Sequence, residues 1–308
     1  MDSAATQSLR SKLALVARHI PGGALLFAVL MLVVLGYFGW YYYGAEHLDQ
    51  ALYSLRLENM TVTPKPDWIK GRIDQEVYEK HRLDRISLLD PRANATIAQA
   101  FETHHWVKTT SRVSKSAGGK VVVDLVYRRP AAMIYVQRVD PVTGQAKDGF
   151  FPIDNEGTML PSADFTEKDV RRYFIIFAQD AHPAGDVGMP YGDVRVSAAL
   201  SLCEFLEPYR EQFGLEVIEV QQDSLAGGSS PWTLIAFTRD KRREIVWGHA
   251  PSAEASGELP AEEKLKRLVA WLQQPLPTDS QAVQAIDLRY AASVTPIASR
   301  RSHGPLNY

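Results

Sequence analysis

Residues 121–136, VVVDLVYRRPAAMIYV, read as two strands meeting at a proline. From Val121 to Tyr127 the odd positions Val121, Val123, Leu125 and Tyr127 are apolar while Asp124 and Arg128 stand at even ones, the period-two pattern of a half-buried strand. Pro130 has no backbone N–H and a fixed φ, so it cannot sit inside a central strand, and the apolar run 131–136 must begin a new one. Arg128-Arg129-Pro130 is therefore the expected seam between two domains, too short a joint to let them swing far.

Upstream of this stretch, residues 106–113 and 120–127 form a predicted hairpin around Ser116-Ala-Gly-Gly119, a turn rich in residues that tolerate positive φ. Before it, Asp90 suits an N-cap with Pro91 at the first helical position, and Ile97 and Phe101 stack one turn apart on a helix ending near His104. Trp68, Ile69, Ile73 and Val77 predict a shorter helix despite Gly71. Tyr53, Leu55 and Leu57 alternate along a first strand within 51–62, stopped by Pro64-Lys-Pro66. The expected order is β-α-α-β-β.

Downstream, residues 152–160 predict a hairpin around Asn155-Glu-Gly157. Val196, Ala199, Leu200, Cys203 and Leu206 share one face of a helix that Gly214 can close. Residues 215–220, 232–238 and 244–247 read as strands, 223–230 as a loop, and Leu265, Leu268, Val269 and Leu272 as an amphipathic helix. Residues 282–290 close the core, with Ile286, Leu288 and Tyr290 on one face. The sheet is expected to be mostly antiparallel with helices on one side, which makes the chain α+β. Between 165 and 188 there is extra length holding Tyr173-Phe-Ile-Ile-Phe177, expected as an added helix and a partner contact.

The chain has 308 residues, 45% of them hydrophobic and 23% charged, enough for roughly two domains. A net charge of -2 provides no global field for nucleic acid. One cysteine, Cys203, excludes an internal disulfide framework and zinc sites built on cysteine pairs. Residues 22–43 run 22 positions without a charged side chain, about 33 Å as a helix against a ~30 Å hydrocarbon core, and predict a single uncleaved transmembrane anchor contacting the lipid bilayer. Arg10, Lys12 and Arg18 precede it and Glu46 and Asp49 follow, which places the N-terminus in the cytoplasm, with Trp40 to Tyr43 as an aromatic belt.

Phe101-Glu-Thr-His-His-Trp106-Val107, Arg112-Val113 and Val123-Asp-Leu-Val-Tyr-Arg-Arg-Pro-Ala131 resemble the POTRA domain of the FtsQ/DivIB family of bacterial cell division proteins. The likeness continues through Phe151-Pro-Ile-Asp154 to Leu160-Pro161, Ile245-Val-Trp-Gly248, Glu263-Lys-Leu265 and Ile286-Asp-Leu-Arg-Tyr290, in the family's order. It implies a cytoplasmic tail at 1–21, an anchor at 22–43, a POTRA domain at 51–129, a β domain at 130–299 and a flexible tail at 300–308. It also implies placement in the inner membrane at the division site. The function implied is that of a non-enzymatic scaffold of the division machinery, with FtsB/FtsL-like single-span proteins as partners and cell-wall synthases as further candidates.

Residues 291–299, AASVTPIAS, are apolar enough to pair as a last strand, but Pro296 demotes it to an edge. Such an edge can accept a strand from another chain, and the family binds FtsB through its final strands. The expected partner-binding set is Ile286, Asp287, Leu288, Arg289, Tyr290, Ala292, Val294 and Ile297, with Arg289 and Tyr290 as anchors. His104 and His105 are adjacent, so on a helix their rings diverge, and no metal or other cofactor is expected. Lys241-Arg-Arg243 reads as a solvated hairpin turn and Cys203 as a small core residue. No G-x-S-x-G, P-loop or H-E-x-x-H is present. A POTRA-containing envelope-assembly or chaperone-like protein stays open as an alternative, and so does an envelope hydrolase.

Overall fold

The computed structural model describes residues 23–41, 53–116, 118–139, 146–222, 232–274 and 283–291. Helix α1 (Gly23–Gly39) has 17 residues, about 26 Å at 1.5 Å per residue. Among the described residues no helix is long and apolar enough to cross a membrane. The expected anchor at 22–43 and the single-pass inner-membrane placement built on it are thus not supported. A charge-free run limits how far a helix could stay in lipid; it does not set how far the helix extends. Gly36 and Gly39 fall in the last turn of α1, where each weakens the helix by about 1 kcal/mol relative to alanine.

The described chain is α+β, with six α-helices and two sheets. It divides into two compact units. The described parts of the first fall within Met1–Thr63, Ile73–Ala100 and Ser111–Asp124; those of the second fall within Pro64–Arg72, Phe101–Thr110 and Leu125–Tyr308.

In the three-stranded sheet, β1 (Met60–Val62) pairs in parallel with β3 (Lys120–Tyr127), Met60 opposite Val121 and Val62 opposite Val123. On the other side of β3 lies β2 (Val107–Ser116). Gly118 and Gly119, at φ +82° and +73°, make the turn between β2 and β3. The alternation along β3 buries Val121 and Val123 completely. Helices α2 (Ile73–Lys80) and α3 (Ala93–Glu102) bury Ile73, Val77, Ile97 and Ala100, and Asp90 Oδ1 accepts the Arg92 N–H at 2.8 Å ahead of α3.

Two elements differ from the sequence reading. The first strand shrinks to β1, because Leu57–Asn59 closes a 3-10 turn and residues 53–55 bond instead to 86–88. Trp68 and Ile69 stay out of α2. The Lys65 ammonium holds the carbonyls of Ile69, Lys70 and Gly71 at 2.9–3.0 Å, and so takes up the acceptors an earlier helix start would need.

In the second unit, Pro130 opens β4 (Pro130–Val139), which pairs antiparallel with β5 (Ala146–Asp154). Arg128, just before the proline, donates to Asp154 Oδ2 at 2.6 Å and to Thr158 Oγ1 at 3.2 Å. Asp154 is fully buried and also accepts the Glu156 and Thr158 N–H groups around the turn at Gly157 (φ +75°). The chain continues through α4 (Glu167–Val170), β6 (Phe174–Ala178), α5 (Val194–Phe213), β7 (Leu215–Gln222), β8 (Trp232–Thr238), β9 (Arg243–Gly248), α6 (Ala261–Leu272) and β10 (Gln284–Asp287). The seven strands lie in the order β10-β9-β8-β7-β6-β4-β5.

This sheet is mixed where a mostly antiparallel one was expected. β4–β6, β6–β7 and β9–β10 are parallel; β4–β5, β7–β8 and β8–β9 are antiparallel. The expected helix at 173–177 is strand β6, placed between β4 and β7. Its Phe174, Ile175 and Ile176 are buried. A short continuous apolar run fits a strand covered on both faces as well as a buried helix, so periodicity cannot separate them.

Helices α5 and α6 cover one face. Val196, Ala199, Cys203 and Leu206 of α5 and Leu268 of α6 share a core with Ile134, Ile176, Ile218, Trp247, Ile286 and Leu288. The Asp193 carboxylate caps α5 by accepting the Arg195 N–H, and Gly214 (φ +62°) ends it. Cys203 is a small core residue, and burial pushes its thiol well above the usual range.

Candidate functional site

Strand β10 ends the large sheet. It runs parallel to β9, with Gln284 opposite Arg243 and Asp287 opposite Val246. The Gln284 N–H donates to Arg242 O at 2.8 Å and the Leu288 N–H to Val246 O at 2.9 Å. Backbone groups alternate sides along a strand, so the Ala285 N–H is directed away from β9. Among the described residues β9 is the only strand beside β10.

The structure divides the expected partner-binding set. Ile286 and Leu288 lie in the helix-side core at 6% and 0% exposure and cannot reach a partner without unfolding. Asp287 is buried and bound to Arg289 through a 2.7 Å contact from Nη2 to Oδ2, and it accepts the Arg289 N–H at 2.9 Å. That bond turns the chain after β10, so Tyr290 leaves the face it was expected to share with Ile286 and Leu288. Tyr290 is 48% exposed, with the Arg289 guanidinium 5.6 Å from its ring centroid. Arg267 of α6 donates to the Tyr290 and Ala291 carbonyls at 3.2 Å. Ala292, Val294 and Ile297 lie outside the described residues, as does all but the first residue of the expected strand at 291–299.

A buried ionic cluster stands behind this edge. The Glu258 side chain, 2% exposed, accepts from Lys264 Nζ at 2.6 Å and from the N–H groups of His249 and Ala255 at 2.9 Å, and lies 2.7 Å from His249 Nδ1. Burial pushes the Glu258 carboxyl up, but the Lys264 ammonium and the two backbone donors outweigh it and hold the group below the usual carboxylate range. Burial lowers Lys264, and Glu258 offsets this in part. The Lys264 ammonium also sits 5.3 Å from the Trp247 ring centroid. Gly248 (φ +99°) lets the carboxylate approach: a Cβ there would lie 1.9 Å from Glu258 Oε1 and 2.8 Å from Arg289 Cγ. Leu259 N–H donates to Arg289 O at 2.8 Å, joining the Glu258 loop to the chain leaving β10.

The sequence reading missed this cluster. Lys264 carried a usable signal, because it lies three residues after Ala261 and four before Leu268, on the stripe that α6 buries. Arg243 is not solvated either. It is 7% exposed, donates to Leu272 O at 2.5 Å and to Gln274 O, and stacks over Trp271 at 5.2 Å, capping α6. His104 and His105 lie in the turn after α3, and their ring centroids are 4.5 Å apart. Among the described residues no group of three or more His, Cys, Asp or Glu side chains could hold a metal ion.

The fold and this edge define a two-unit α+β protein whose large mixed sheet ends in a strand with one neighbour among the described residues. No protein-family model matches the chain, and no curated protein matches it.

Proposed function

We propose that the chain is a non-enzymatic scaffold of the bacterial division machinery that captures an extended segment of a partner protein on β10. The observation that carries the reading is the Ala285 N–H, directed away from the one strand beside β10 among the described residues. An edge strand gives affinity through main-chain hydrogen bonds and specificity through alternate side chains. The resemblance of residues 101–131 and the later landmarks to the FtsQ/DivIB family supports FtsB/FtsL-like proteins as the partner class. Arg289 and Tyr290 flank the strand, and both residue types are enriched at the energetic centres of interfaces.

Deleting residues 286–299 is a poor test, because it removes Ile286 and Leu288 from the core. Ala285→Pro removes the outward donor at an edge, where proline is tolerated. It is expected to weaken co-purification of an FtsB-like partner at least tenfold with an unchanged circular dichroism spectrum. Tyr290→Ala is expected to cost about 2 kcal/mol of binding, roughly thirtyfold in Kd. Undiminished capture by both variants would contradict the edge as the contact.

A further inference from the structure

Strand β10 gives way after Asp287 to a stretch, residues 288–291, that is neither helix nor strand. Successive carbonyls in it are nonetheless held in place. The Arg289 carbonyl accepts the Leu259 N–H at 2.8 Å, and the Tyr290 and Ala291 carbonyls each accept from Arg267 Nη1 at 3.2 Å. These donors belong to α6 or to the loop just ahead of it. Asp287 adds a further tie, accepting the Arg289 N–H at 2.9 Å and its Nη2 at 2.7 Å.

These bonds converge on the backbone of Tyr290. A carbonyl oxygen lies in the plane of its peptide, so holding the oxygen restrains the plane. The planes before and after Tyr290 carry the Arg289 and Tyr290 carbonyls, and restraining both restrains φ and ψ at Tyr290. Its side chain is nevertheless 48% exposed, with the Arg289 guanidinium 5.6 Å from its ring centroid. Polar ties to the backbone, more than burial, therefore place this residue. Leu259 contributes to them through its own backbone, whereas Arg267 does so through a side chain that is 29% exposed and has Glu263 Oε1 3.9 Å from its Nε.

Given strand capture on β10, on which this step rests, we infer that Arg267 is a positioning residue for that edge. It holds the backbone of Tyr290 in place before an extended partner segment arrives, and so strengthens capture without touching the segment itself. An anchor whose backbone is already ordered loses less conformational freedom on binding. Leu259 restrains only the plane before Tyr290, so removing the Arg267 guanidinium takes away this tie on the plane after it and the one on Ala291.

The test is Arg267→Ala in the full chain. Arg267 is partly exposed on α6 and alanine is the best helix former, so the fold is kept. In the free chain the Leu259 and Arg289 amides, bonded within this turn, should exchange faster, while the Gln284 and Leu288 amides, bonded to Arg242 and Val246, should not change. Affinity for the FtsB-like partner should fall about threefold to tenfold. The fall should vanish in a Tyr290→Ala background, where there is no anchor left to position. Unchanged exchange at Leu259 and Arg289 overturns the inference. So does an equal fall in both backgrounds, which would place Arg267 itself against the partner. If Ala285→Pro weakens capture and Arg267→Ala does not, the role of Arg267 fails and strand capture stands. If neither Ala285→Pro nor Tyr290→Ala weakens it, strand capture fails and takes the role of Arg267 with it.

Discussion

Glu258→Ala is expected to lower the stability of the folded chain by about 3–5 kcal/mol, the usual cost of removing one partner from a buried ion pair. The substitution strands the fully buried Lys264 ammonium and deprives the His249 and Ala255 N–H groups of their acceptor. In thermal unfolding the loss appears as a fall in Tm of roughly 10 °C or more. Replacing both charges, Glu258→Met with Lys264→Met, should recover much of it, because the large penalty belongs to a charge left alone in the interior. A loss below about 1 kcal/mol in Glu258→Ala would mean that the cluster is not sealed from water.

The same carboxylate sets an acid dependence. Its folded pKa is held below the usual range, so between the folded value and the unfolded value of about 4.3 the unfolded state binds more protons. The Glu258 contribution is therefore complete above the ordinary carboxylate range and is lost as pH falls through the lowered folded pKa. The stability gap between the native chain and Glu258→Gln, measured by urea unfolding, should be constant near neutrality and narrow on acidification. A gap that widens with acid would reverse the assigned direction.

Gly248→Ala is the second large effect. At φ +99° a Cβ costs of the order of 1–3 kcal/mol in backbone strain alone. The atom it meets at 1.9 Å belongs to Glu258, whose four hydrogen-bonding contacts leave it little room to retreat, and Arg289 Cγ blocks another side at 2.8 Å. The expected loss therefore matches or exceeds that of Glu258→Ala. Because both changes destroy one cluster, the double variant should lose clearly less than the sum of the two. Additive losses, or a Gly248→Ala protein within about 1 kcal/mol of native, would show that the two residues act independently.

How much of this could be read from the chain depends on whether a signal is local. Pro130 ends one strand and begins another, and glycines at 118, 119 and 214 mark one turn and a helix end, because backbone sterics act within a few residues. The alternation through Val121 and Val123 fixes which face β3 buries. Strand order is different. β6 enters the sheet between β4 and β7 by pairings that no local pattern encodes, and its five apolar residues fit two structures equally. The charge-free run 22–43 predicts an anchor, whereas among the described residues no helix is long and apolar enough to cross a membrane.

The edge followed the same logic. The segment could be recognised as the sheet's end, yet four of its proposed contact residues turned inward or into an ion pair: Ile286 and Leu288 pack under the helices, and Asp287 binds Arg289. Long-range partners decide such assignments. Glu258, His249 and Lys264 lie far enough apart in sequence that only the fold brings them together, although the position of Lys264 on the α6 stripe hinted at its burial.

Capture of a partner strand on β10 is read by residue-resolved hydrogen exchange of the full chain with and without an FtsB-like partner. The Ala285 amide, directed away from β9, is expected to become protected when the partner binds, while the Gln284 and Leu288 amides, already bonded to Arg242 and Val246, change little. Partner binding that leaves the Ala285 amide exchanging at its original rate would contradict it.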